Sequence, residues 1–154
     1  MANTPYADLF DVFLGSQALL GPVLLVARLL MATVFLIFGT YKVRSRTQMQ
    51  GYMAAHHVAG WLIYPVIVVQ LGGGALVALG YHTRFAALML AGFCIVAPSL
   101  FHADFKNGNE LAHFAKDIAI AGGFLFMIAY GPGPLSVDAY QHRIGSSATA
   151  TVSP

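Results

Sequence analysis

Four stretches of the 154-residue chain are long and apolar enough to restrict the fold almost by themselves: Leu19 to Phe38, Val58 to Tyr81, Phe85 to Phe101 and Ala112 to Gly131. A helix needs about 20 mostly apolar residues to cross the hydrocarbon of a bilayer. In lipid the backbone must satisfy its own hydrogen bonds, which a helix does. The expected fold is therefore an all-α integral membrane four-helix bundle, one domain over 1–138. The tail 139–154, ending in the small polar run "IGSSATATVSP", is expected to be disordered. Composition agrees, because 58% hydrophobic and 9% charged residues leave too little polar surface for a water-soluble domain. A net charge of +2 with scattered basic residues excludes a nucleic-acid partner. The single cysteine, Cys94, excludes an internal disulfide and a CxxC redox pair.

Four crossings decide which loops share a side. The connections around 39–57 and 102–111 fall on one face, which holds Lys42, Arg44, Arg46 and Lys106. The termini and the short "GYHTR" turn fall on the other, with Arg84 and Arg143. The positive-inside rule then puts the first face in the cytoplasm and both termini in the periplasm of a multi-pass bacterial inner-membrane protein. The first 17 residues carry Asp8 and Asp11 but no Lys or Arg, which argues against a cleavable signal peptide. "YADLFDVFLG", and "MQGYMAAHH" with Met49, Tyr52, Met53 and His56 at helical spacing, read as interfacial helices. Pro98 is expected to kink or end the third span early.

Charge inside the apolar stretches is the chemical signal. Arg28 is the midpoint of the first span, at an insertion cost of about 2.5–3.5 kcal/mol that thirteen Leu, Val, Ile and Phe residues offset. Such a residue is expected to face the bundle interior and to have a partner. Gln70 matches it in depth, and Asp117 lies about five residues into the fourth span, which makes it the candidate counter-ion. His113 shares a helix face with Lys116 and Asp117. Lys42, His102, His113, Lys116 and Asp117 all fall at the first face, as a polar pocket entered from that mouth. The alternative is that Arg28, Gln70 and Asp117 only fix helix packing. Gly72, Gly73, Gly74, Gly122 and Gly123 read as close-packing surfaces. One glutamate in the whole chain, Glu110, is too few for a carboxylate-bridged metal pair, and no histidines oppose each other within the spans to ligate haem.

Three segments resemble the DoxX family of small four-helix bacterial membrane proteins: "ARLLMATVFLIFGTYKV", "VVQLGGGALVALGYHTRFAAL", and "HFAKDIAIAGGFL" followed by "GPGPLSVD". The resemblance runs from about Ala27 to Asp138. It implies association with quinone-linked or sulfur-linked oxidoreductase complexes and with resistance to oxidative or quinone stress. Family members often carry Glu where this chain has Gln70, and Lys-Asn where it has Lys116-Asp117. The exchange predicts that the acid balancing Arg28 has moved to Asp117.

The resulting expectation is a quinone-interacting membrane subunit. His113, Lys116 and Asp117 would be the catalytic groups, and Arg28, Lys42, Gln70 and His102 the cofactor contacts. No flavin or nicotinamide fingerprint is present, so electrons would come from a partner oxidoreductase or larger membrane complex. An assembly or anchoring subunit is the competing class, and a small transporter, requiring a homo-oligomer, is the third.

Overall fold

The computed structural model describes residues 17–101 and 105–150. The N-terminal interfacial helix expected from "YADLFDVFLG", and His102, lie outside the described residues. Among the described residues six helices follow one another: α1 (Gln17–Arg44), α2 (Arg46–Ala55), α3 (Ile63–Leu79) after a 3-10 turn at Gly60–Leu62, α4 (Thr83–Phe101), α5 (Gly108–Tyr130) and α6 (Val137–Ala150). Among the described residues four helical stretches are long and apolar enough to span a membrane: Leu19–Arg44, Gly60–Leu79, Thr83–Phe101 and Gly108–Tyr130. Among the described residues there is no strand. The all-α membrane bundle is thus the observed architecture.

Several boundaries differ from those read in the sequence. α1 continues six residues past Phe38: Gly39 is held by close packing against Leu71, no proline follows up to Arg44, and the basic last turn, Lys42 and Arg44, suits a helix C-terminus. α5 starts at Gly108, where the Asn107 side chain accepts a hydrogen bond from the Asn109 amide at 3.0 Å. Pro98 does not end α4, which runs unbroken to Phe101 with Pro98 buried. The segment 139–150, expected to be disordered, belongs instead to α6. Ser136 caps that helix: its hydroxyl accepts from the Ala139 amide at 3.1 Å and donates to the Gly133 carbonyl at 2.7 Å.

α1 packs along α3 and α4 along α5, with α3 and α4 joining the two pairs; α1 and α5 meet through side chains, not along their backbones. Lipid is as apolar as leucine, so helices here associate through close packing and polar contacts. Close packing centres on Phe35 of α1, whose ring lies 5.4 Å from that of Phe124 and 6.4 Å from that of Phe93. The glycines divide. A Cβ on Gly73 would meet Leu90 at 3.0 Å, on Gly74 Leu36 at 3.2 Å and on Gly123 Met31 at 2.9 Å, whereas Gly72 and Gly122 face open space. Close packing accounts for the first three only.

α2 folds back under the end of α4. Met53 is buried, and Tyr52 stacks on Phe101 at 5.5 Å, with His56 against both rings. The helical spacing read in "MQGYMAAHH" therefore does form a helix, and its apolar side is used against the bundle.

Candidate functional site

Polar groups within and around the spans gather at two opposite ends. One end is formed by the start of α1, the α3–α4 turn, the end of α5 and α6; the other by the end of α1, α2, the end of α4 and the start of α5.

At the α6 end, Arg28 is 3% exposed and its guanidinium donates to the carbonyls of Pro132 at 2.9 Å and Leu135 at 2.8 Å. Asp138 is the acid whose charge acts on it. Asp138 also accepts from the backbone amides of His82 at 2.8 Å and Thr83 at 2.9 Å, and from the Thr83 hydroxyl at 2.8 Å, while its own amide donates to the Gly80 carbonyl. Partial burial pushes the Asp138 carboxyl up, but the hydrogen bonds from Thr83 and His82 outweigh it and hold the group below the usual carboxylate value. Gly80 lies beneath this cluster with φ +69°, and a Cβ there would come within 2.5 Å of both Arg28 Nη1 and Ser136 Cβ. Arg28, the "GYHTR" turn and "GPGPLSVD" thus form one latch that closes the end of the bundle.

This overturns the expected Arg28–Asp117 pair. In the antiparallel register of α1 and α5, Met31 meets Gly123 and Phe38 meets Lys116, which places Arg28 beyond Met31, away from Asp117. Its guanidinium reaches carbonyls just past Tyr130, about 20 Å along α5 from Asp117 at 1.5 Å per residue. The sequence reading set Arg28 at mid-depth of a span ending at Phe38; in the longer α1 it lies nearer the α6 end.

At the other end, Lys116 pairs with Asp117 at 3.5 Å, with the two side chains 50% and 25% exposed. Lys42 from α1 and Lys116 from α5 both approach the Phe38 ring, at 5.8 and 6.0 Å from its centroid. The Asp117 charge acts on Lys42. Three of the expected site residues, Lys42, Lys116 and Asp117, are therefore brought together around a phenyl ring. His113 is exposed one turn before Asp117 on α5. Tyr52 belongs to the same end; burial, with Glu110 nearby, pushes its phenol up, so it is a hydroxyl donor at neutral pH.

Gln70 does not join them. It is 4% exposed and lies against α1 at Gly39, with its Oε1 atom unpartnered among the described residues. His102 lies outside the described residues, so its expected role has no geometry here.

From Lys116 a fissure runs along the loose α1–α5 seam. It is about 450 Å³, lined by Leu30, Met31 and Val34 on one side and Lys116, Ala119, Ile120 and Gly123 on the other. Leu30 is 66% exposed on the outer surface, so the fissure opens sideways, toward lipid. A single cation at one end of an otherwise apolar slot suits an amphiphile with a hydrogen-bond-accepting head.

Sequence reading missed Phe38, Thr83 and Asp138. Phe38 served only as a span end. Asp138 lies outside every span, and its one signal was membership of "GPGPLSVD".

The family model described as DoxX matches residues 23–103. Over 114 residues the chain is 40% identical to the inner membrane protein YqjF of Escherichia coli (strain K12), covering 74% of this chain and 88% of that one. It is 28% identical over 122 residues to the inner membrane protein YphA of the same organism, covering 75% and 87%. No solved structure matches the chain.

Proposed function

The chain belongs to the DoxX family and is an inner membrane protein of that family, and from that premise we propose that it binds a lipid-soluble quinone in the α1–α5 fissure as the membrane subunit of an oxidoreductase system. One observation carries the reading: an apolar slot open to the bilayer with the Lys116 ammonium at its polar end. A quinone reaches such a slot by diffusing within the membrane. Its ring carbonyl accepts a hydrogen bond from Lys116, and its isoprenoid tail lies along Leu30, Met31, Ile120 and Gly123.

Reduction of a quinone to a quinol takes two electrons and two protons. The electrons come from a partner protein, since no electron-carrying motif occurs in the sequence. Asp117, paired with Lys116, and His113 one turn above it are suited to carry protons from the aqueous face to the ring oxygens. The Phe38 ring holds the ammonium from the α1 side, and Asp117 pairs with it.

The test is titration of a short-chain quinone analogue against purified wild type, Lys116→Ala and Gly123→Leu. Gly123 borders the fissure opposite Met31, so a leucine there fills it. Loss of a hydrogen bond to a charged donor weakens binding by about tenfold or more. Wild-type saturation with weakened binding in both variants supports the reading. Equal binding by all three proteins contradicts it.

A further inference from the structure

A second open space lies at the opposite end of the molecule. A cleft of about 1250 Å³ separates the start of α4 and the end of α5 from the inner side of α6, with Arg84, Phe85, Tyr130, Gly131, His142 and Ser146 among its walls. These are the ends of two spans, so the cleft sits at the depth of lipid headgroups. Among the described residues no hydrogen bond or ion pair engages the Arg84 guanidinium. Its Nη2 atom lies 3.8 Å from where a Cβ on Gly131 would stand, and the missing side chain leaves the guanidinium open to the cleft. Asp138 also borders the cleft, but its carboxylate already accepts three hydrogen bonds from His82 and Thr83. Below, Phe126 and Tyr130 stack at 6.1 Å with their planes 15° apart, 69% and 80% exposed, as a flat aromatic ledge down the lipid side of α5.

We propose that this cleft holds the phosphate of an anionic phospholipid, with Arg84 as its principal ligand and an acyl chain laid along the Phe126–Tyr130 ledge. The planar guanidinium fork matches phosphate geometry, and an arginine without a carboxylate partner at headgroup depth favours a net-negative headgroup over a zwitterionic one. His142 and Ser146 of α6 close over the headgroup, so the bound lipid ties α6 to the bundle. The site is separate from the α1–α5 fissure and does not depend on quinone binding.

The experiment compares phosphatidylglycerol with phosphatidylcholine of the same chains, added to the detergent-purified full chain and read by native mass spectrometry and by thermal stability. A third arm uses inorganic phosphate alone. The expected result is a retained one-to-one adduct and a raised melting temperature with phosphatidylglycerol only, and about tenfold weaker retention in Arg84→Gln. If Arg84→Gln does not fold, Ser146→Glu replaces it; that hydroxyl donates only to the His142 carbonyl within its own helix, and the added carboxylate repels a phosphate. Equal retention of the two lipids, equal stabilisation by inorganic phosphate, or retention unchanged in the variant overturns the proposal.

Discussion

Asp138 serves two neighbours at once, fixing the start of α4 through Thr83 and His82 and supplying the charge opposite Arg28. Its carboxyl is held below the ordinary value of 3.8, so its stabilising contribution is fully present above that value and is lost as pH falls through the depressed one. Thermal unfolding followed below about pH 4 is therefore expected to show a loss of stability in wild type that Asp138→Asn lacks. Arg28→Ala leaves Asp138 without its counter-charge and two loop carbonyls without a donor, and is expected to destabilise by about 3–5 kcal/mol in detergent denaturation. Arg28→Lys keeps the charge but not the fork that reaches both carbonyls, so recovery is partial. Asp117→Asn removes only a half-exposed ion pair, and the expected change is within about 1 kcal/mol.

At the scale of elements, the four apolar spans and the spacing of α2 were readable because each rests on local periodicity, which a single sequence displays directly. The pairing of Arg28 was not. It depends on where α1 ends and on a loop that begins more than a hundred residues later, and neither depth nor that contact leaves a local signature. The same applies to α6: Gly145, Ser146 and Ser147 interrupt its good helix formers, and the Ser136 cap that starts it is meaningful only once the loop is fixed by Arg28. Lys42, Lys116 and Asp117 were legible as a group because topology alone assigns them to one face. Gly80 marks the element most sensitive to change. An alanine there takes a left-handed conformation and meets both Arg28 and Ser136, so Gly80→Ala is expected to lower stability by about 2–4 kcal/mol, measured by the shift in melting temperature.

Across the whole molecule, the charges of the bundle separate by role. One end is closed by a latch in which Arg28 donates to the carbonyls of Pro132 and Leu135 and Asp138 accepts from the turn at His82 and Thr83. The other carries two lysines and an aspartate around a phenyl ring, beside a slot open to lipid. If Arg28 neutralised Asp117, the Lys116 end would be a packing device; because it does not, Lys116 and Asp117 remain available to a ligand. The direct measurement is a pair of double-mutant cycles on thermal stability, Arg28→Ala combined with Asp138→Asn and, separately, with Asp117→Asn. The account predicts a coupling of about 1–3 kcal/mol in the first cycle and additivity within about 0.5 kcal/mol in the second. Coupling between Arg28 and Asp117, with additivity between Arg28 and Asp138, would contradict it.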